Sequence, residues 1–334
     1  MPILKILAKL FYSSVFLVVF PSVCAAGSSD DGSFARPEIT SSLGEIDCAS
    51  SFRHVVSYPY DSMRSDVEAL SSPLFEGRKT GSESSVLLSM WVEKRFEKSG
   101  VGLFAGKRVL SFETLDGRKG RNVMGCIKGT SGKWIVVMAY YDGLGTSEEG
   151  HYPGADSNAS GVAVLAELAD MLNAKFKASG TIPKDGILFL ALDGHHDKYA
   201  GAHAFLKEVD ISKIKLVVNI DMIGSSLAPI HKRRPHYLIA LGGEKYRASI
   251  DRCSKVGRQE MYYDYYSSDA FTDMFYRRVG DHTEFLRRGV MSVVFTSGVT
   301  LNTNKLSDTP SSLDYNSLHS RLLVIYRWLL SLSF

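Results

Sequence analysis

Two stretches of this chain, Trp134 to Tyr140 and Gly186 to Leu192, are apolar from end to end and too short to be core helices. A half-buried strand alternates apolar and polar residues, because successive side chains point to opposite faces. A strand that is apolar throughout must be covered on both faces, which is the habit of a parallel sheet enclosed by helices. Further strands are expected at Asn122 to Lys128, Leu216 to Met222, Tyr237 to Leu241 and Val290 to Thr296. Helical spacing fills the intervals: Met63 to Leu70, Ser84 to Ser99, Gly161 to Phe176, Ala200 to Lys207, Lys245 to Val256, Thr283 to Arg288 and Leu313 to Leu332. In the second of these, Val86, Met90, Val92 and Phe96 are expected on the buried side. Strands and helices alternating in this way predict an α/β protein, a three-layer α/β/α sandwich.

Of the 334 residues 45% are hydrophobic and 22% charged, which is enough apolar material for a sizeable core. The 39 basic and 36 acidic residues leave a formal charge of +3, and no basic tract is interleaved with aromatics. Nucleic acid is therefore not an expected partner. Residues 1–26 read as a signal peptide: Lys5 and Lys9, an apolar run from Leu10 to Phe20, then the small-residue site around Val23-Cys24-Ala25. Export to the periplasm or medium follows, with no membrane attachment after cleavage. Residues 27–60 form a leader, flexible at its Ser-, Gly- and Asp-rich start, and 61–334 form one domain without repeat or linker. Of the cysteines left, Cys126 sits in a strand as a small hydrophobe, and a Cys48–Cys253 bridge is allowed but unsupported by spacing.

In parallel α/β sheets, sites gather at the carboxyl ends of the strands. Here those ends carry Tyr140-Tyr141-Asp142, then Gly154 to Gly161 opening a helix, then Asp193-Gly194-His195-His196-Asp197, then Asn219 to Gly224, and finally Asn302 to Asp308. Read without any family, His195, His196 and Asp221 are candidate metal ligands, although two adjacent histidines are too few to define a cage. The bland alternatives are a hydrogen-bonded histidine pair and a strand-end carboxylate capping a helix. A Ser157/His195/Asp221 triad can be written on paper, but nothing resembles a nucleophile elbow.

The same segments, in the same order, resemble the two-zinc exopeptidases of metallopeptidase family twenty-eight: bacterial leucyl aminopeptidase, aminopeptidase S and glutamate carboxypeptidase. Leu74 to Arg78 with Gly81-Ser82 is similar to the family's L-x-G-R-x-x-G-S. Asn122 to Gly125 is similar to N-V-x-G, and Gly154 to Gly161 to G-A-D-D-N-A-S-G. Asp193 through Phe205 is similar to D-G-E-E-x-G-L-x-G-S-x-A-F, Asn219 to Gly224 to N-x-D-M-x-G, and Asp281 to Phe285 to D-H-x-x-F. The resemblance implies a zinc-exopeptidase-like sandwich whose central sheet is mixed but largely parallel.

It also implies two zinc ions, five ligand positions and a glutamate base, and most of those positions are changed. The first ligand histidine falls on Tyr140, the bridging aspartate on Ser157, the base glutamate on His195, the next glutamate on His196 and the last histidine on Asn304. Only Asp221 keeps a family ligand, and Asp142 keeps the supporting aspartate. Asp156 is adjacent to the lost bridge, with its side chain expected to point elsewhere.

No cofactor is expected on this reading, a single zinc being the alternative. The expected protein is an exported, aminopeptidase-like binding or scaffold protein without catalysis, taking a peptide or protein ligand. The rivals are an active metallo-exopeptidase or other hydrolase using His195, His196 and Asp221, and a glutaminyl-cyclase-like transferase. Tyr262, Tyr263, Tyr265 and Tyr266 either line a surface or pack in the ordinary way.

Overall fold

The computed structural model describes residues 60–256 and 258–333. The signal segment, the leader up to residue 59 and Cys48 lie outside them. Eight strands form the main sheet: β1 (Val109–Glu113), β2 (Lys119–Ile127), β3 (Trp134–Tyr140), β6 (Gly186–Leu192), β7 (Ile214–Ile220), β8 (Tyr237–Leu241), β9 (Glu260–Tyr262) and β10 (Ser292–Thr296). A small hairpin, β4 (Thr146–Ser147) and β5 (Gly150–His151), stands apart. The order across the sheet is β1-β2-β6-β3-β7-β10-β8-β9. The four central strands β6, β3, β7 and β10 run parallel. The β1–β2 hairpin pairs antiparallel to β6, and β8 antiparallel to β10. The sheet is thus mixed and largely parallel, as expected.

The helices are α1 (Tyr60–Leu70), α2 (Glu83–Ser99), α3 (Ser160–Ser179), α4 (Ala200–Glu208), α5 (Arg247–Val256), α6 (Asp269–Arg277), α7 (His282–Leu286) and α8 (Tyr315–Leu332). Along β3 the two faces separate cleanly. Ile135, Val137 and Ala139 join the core beneath α1, α2, α3 and α8, whereas Val136, Met138 and Tyr140 join the core with Phe205 of α4 and Phe285 of α7. Helices therefore cover both sides, and the uniformly apolar strands are explained.

Helix α2 is capped by Ser82, whose hydroxyl accepts from the Ser85 amide, and is ended by Gly100 in a left-handed conformation. Its buried face differs from expectation. Leu88, Val92 and Phe96 point inward, four residues apart, while Val86 and Met90 face solvent at 37% and 48% exposure. The i, i+4 row through Leu88 wins because it also aligns Ser85 and Ser89, small enough for close packing. Short polar-edged elements, β1, β9 and α6, were not anticipated.

Cys126 is buried as a small hydrophobe and Cys253 packs against the core. The tyrosine cluster packs internally: Tyr237 and Tyr266 both donate to the Ala228 carbonyl, and Tyr265 accepts from the Val299 amide and stacks on Phe275. No helix among the described residues is long and apolar enough to cross a membrane.

Candidate functional site

The loops after β3, β6 and β7 converge with two later segments at one end of the sheet, and a buried framework fixes them. Arg78 is 1% exposed, yet contacts no carboxylate directly. Its guanidinium donates to five backbone carbonyls: Tyr141 (3.0 Å), Leu70 (2.8 Å), Pro153 (2.5 Å), Gly154 (2.9 Å) and Ser157 (3.4 Å). All five of its donors are spent, so one side chain ties three loops together. Gly77 beside it has φ +70°, and a Cβ there would lie 1.9 Å from the Gly145 carbonyl oxygen. Only glycine allows the two loops to dock this closely.

Asp308 accepts from the amides of Asp156 (2.8 Å) and Ser157 (3.0 Å). Asn158 donates to the carbonyls of Tyr140 (3.3 Å) and Ile220 (3.0 Å) and accepts from the Met222 amide (2.9 Å). It thereby bolts the ends of β3 and β7 to the start of α3. The Asp156 carboxylate is turned away from the site. It accepts from the Gly224 amide (2.7 Å) and the Ser160 hydroxyl (3.2 Å), and burial together with Asp308 pushes it up to about 7.

Within this framework the predicted site residues come together. The Tyr140 hydroxyl lies 3.1 Å from the Ser157 hydroxyl, which donates at 3.4 Å to the Asn304 Oδ1. His195 stacks on the Tyr140 ring with centroids 3.7 Å apart and an interplanar angle of 13°. Its Nδ1 is 2.6 Å from Asp281 Oδ2. The backbone amides of His195 and His196 both donate to Asp142 (2.9 and 3.1 Å), and the His196 Nδ1 lies 3.0 Å from the same carboxylate. Tyr199 stands edge-on to His195 and accepts from the Gly280 amide at 2.9 Å. Asp281 and Tyr199 were missed as site residues. The Asp281-His282 motif was visible in sequence, but nothing local announced a partner so far along the chain.

The electrostatics follow from this pairing. Burial alone would lower the His195 imidazole. Asp281, in contact with it, and the nearby Asp221 and Asp142 outweigh that penalty and push it up to about 9. His195 is therefore an imidazolium at neutral pH. Asp142 is held below its ordinary range, because its histidine partners overcome its own burial. Burial pushes Asp221 up to about 6, tempered by His195. Asp221 as a residue is half-buried, but its Oδ1 is shielded from solvent, has no hydrogen-bond partner among the described residues and caps no helix. The Tyr140 hydroxyl is raised well above its ordinary value by burial and by Asp221, so it stays protonated. The triad written on paper does not form: Ser157 bonds Tyr140 and Asn304, and His195 bonds Asp281.

These loops on a mixed, helix-covered sheet define the class as a zinc-exopeptidase-type α/β/α domain. A model of Peptidase family M28 matches residues 122–328, more than half of the 334, and the chain belongs to that family. Among solved structures, LapB from Legionella pneumophila aligns with a TM-score of 0.63 at 17% identity, covering 86% of this chain and 75% of that one. The zinc aminopeptidase BSAP from Bacillus subtilis gives 0.62 at 12% identity, covering 82% and 95%. Glutaminyl cyclase from Bacteroides thetaiotaomicron gives 0.60 at 17%, covering 81% and 97%. At such identities the likeness is one of fold.

Among curated relatives, the alkaline phosphatase isozyme conversion protein of Escherichia coli K12 is 26% identical over 177 residues, 46% of this chain and 49% of that protein. A probable zinc metalloprotease of Pyrenophora tritici-repentis is 26% identical over 196 residues, 49% and 42%. The matched region spans about half or less of these relatives.

The family implies zinc, and the residues present do not fit two ions. Of the five ligand positions, Tyr140 and Ser157 carry neutral hydroxyls bonded to each other, and the Asn304 oxygen is turned to Ser157. His196 and Asp221 are the two competent donors left, and His196 has one ring nitrogen at Asp142. Among the described residues no group of three or more His, Cys, Asp or Glu side chains is arranged to hold a metal ion. Ligand identity and count decide such sites.

Proposed function

We propose that this chain is an exported, catalytically silent member of its family that acts by binding a peptide or protein at the loop face of the sheet. One observation carries the reading: four of the five ligand positions and the base position have side chains bonded to protein partners, and Asp221 alone keeps an unpartnered oxygen. Tyr140, Ser157 and Asn304 form a hydrogen-bonded chain, and His195 and His196 are tied to Asp281 and Asp142. A peptidase of this type needs a metal-bound water and a base to deprotonate it. Here the base position holds an imidazolium, which has no lone pair to offer.

A narrow cleft of about 10 Å³, room for about one water-sized group, opens beside the site and is lined in part by Arg78, Tyr152, Ser157, Asn304 and Lys305. Export is supported by the N-terminal basic and apolar segment.

The test is zinc content by mass spectrometry after incubation with excess zinc, with turnover of aminoacyl p-nitroanilides measured on the same sample. Substoichiometric zinc and no turnover are expected. Stoichiometric zinc together with turnover that Asp221→Ala abolishes would sink the reading in favour of a remodelled metallo-exopeptidase.

A further inference from the structure

The main sheet ends at β1, which pairs with β2 on one side alone. The Met124 amide donates to the Arg108 carbonyl, and the Thr114 amide to the Arg118 carbonyl. Even-numbered residues along β1 therefore turn their backbone groups toward β2. Those of Val109, Ser111 and Glu113 point out of the sheet, and among the described residues nothing meets them. The strand has no proline, lysine or bulge, the usual means of blunting an edge, and Glu113 is its single charge.

Two further observations meet at this edge. Val86 and Met90, the apolar residues of α2 that face solvent, lie on a helical row that continues through Glu93 and Glu97. The charges of Arg108 and Arg121 reach Glu93, so this row runs above the β1–β2 hairpin. On the same face of the sheet Ser111 is paired with Arg121, and Glu113 is two residues further along β1. Glu113 is exposed and Arg121 half-buried, and among the described residues neither side chain has a hydrogen bond or ion pair. One chain thus presents an unmatched strand edge, an uncovered apolar row, and an acid and a base without partners.

We propose that β1 pairs with β1 of a second copy of this chain, antiparallel about a two-fold axis through Ser111. In that register Ser111 meets the partner's Ser111, and Val109 meets the partner's Glu113. Every outward-facing residue then sits in a hydrogen-bonded pair, and the two sheets become one. Ser111 is small, so each Arg121 reaches across it toward the partner's Glu113, and charges unpaired within one chain are paired between two. The α2 rows approach each other over the seam and cover Val86 and Met90. Other charges around the edge balance: Glu83, Glu93, Glu97 and Glu113 stand against Lys94, Arg108, Lys119 and Arg121. Arg118 is held by Asp116 and Asp197, and Lys107 by Glu208. An edge without excess charge offers nothing to a nucleic acid or an anionic membrane, whereas a second copy matches it group for group. The pairing lies apart from the replaced metal positions and does not depend on whether the chain is silent.

Sedimentation velocity of the full chain tests it, with a dimer of dissociation constant about 10 µM or tighter expected. Glu113→Arg and Arg121→Glu each set like charges across the seam and should weaken the dimer about tenfold, while the doubly reversed chain regains most of that loss. Ser111→Pro removes an outward N–H and keeps the bonds to β2, so it should leave a monomer. Should that variant fail to fold by circular dichroism, Met90→Lys on the exposed row of α2 gives the same test and should weaken the dimer about tenfold. Ser111→Cys reads the register itself. With the axis through this residue the two Cα atoms lie about 5.5 Å apart, within disulfide reach, so oxidation should cross-link the pair. Glu113→Cys, opposite Val109, should not cross-link. The proposal is overturned if the wild type is monomeric at about 100 µM. It is equally overturned if dimers form that survive Glu113→Arg and Met90→Lys, or that Ser111→Cys does not cross-link.

Discussion

The roots and the tips of the site loops have followed different rules. At the roots, Arg78, Asn158 and Asp308 are buried, each meets several backbone groups, and the segments holding them follow the zinc-exopeptidase pattern closely. At the tips, Tyr140, Ser157, His195, His196 and Asn304 have all departed from that pattern and bond mainly to one another or to a single carboxylate. A root residue satisfies backbone polar groups that have no other partner, and losing it strands several of them at once. A tip residue in a metalloenzyme answers to the metal. Without that demand it is free to change, provided its neighbours change compatibly. The scaffold can therefore persist while the chemistry at its rim is rewritten.

Four experiments would break or sharpen this contrast. The largest effect is expected from Arg78→Met, which leaves five carbonyl contacts unmade in a buried setting. A loss of about 5 kcal/mol, or outright failure to fold, should appear in urea denaturation. A loss under about 1 kcal/mol would erase the distinction between root and tip.

Next, if the roots alone define the geometry, restoring the tips should restore the metal. Combining Tyr140→His, Ser157→Asp, His195→Glu, His196→Glu and Asn304→His should give a chain stabilised by roughly 4 kcal/mol when zinc is a thousandfold above its dissociation constant. A melting temperature indifferent to zinc would show that the framework has drifted as well.

The third test uses pH. His195 titrates near 6.5 when unfolded and at about 9 when folded, so the raised value stabilises the fold fully below about pH 6.5 and the benefit is lost as pH rises through 9. Over that window the wild type should lose about 3 kcal/mol that His195→Gln does not lose. Buried Asp156 and Asp193, each pushed up to about 7, weaken the fold in the same direction but begin lower, from about pH 4. An identical pH profile for the variant would remove the imidazolium from the account. The smallest effect belongs to Asn304→Gly. The residue is exposed, already at φ 60° and makes one long hydrogen bond, so the expected loss is below about 0.5 kcal/mol.

The sheet was legible because β3 and β6 are apolar on both faces, a pattern few arrangements satisfy. The edge strands β1 and β9 were not, since an edge strand half open to water carries a mixed sequence that reads equally well as loop. Helix α6 escaped for a similar reason: Asp269–Arg277 is short and partly exposed, with Phe271 48% open to solvent. At the site, residue identities at strand ends picked out the side chains that come together there. Their partners were hidden. The partner of His195 is Asp281, 86 positions away, and only the folded chain shows that the imidazole gains a carboxylate and a stacked phenol together.

That pairing of His195 with Asp281 bears on where such a chain can mature. A site built around two zinc ions takes the positive charge that offsets its carboxylates from the surrounding medium. Here the compensating charge is written into the polypeptide and arrives with translation. On the proposed reading the loops close as soon as the chain folds, in a zinc-starved compartment as readily as in a replete one, and a chelator has nothing to take away.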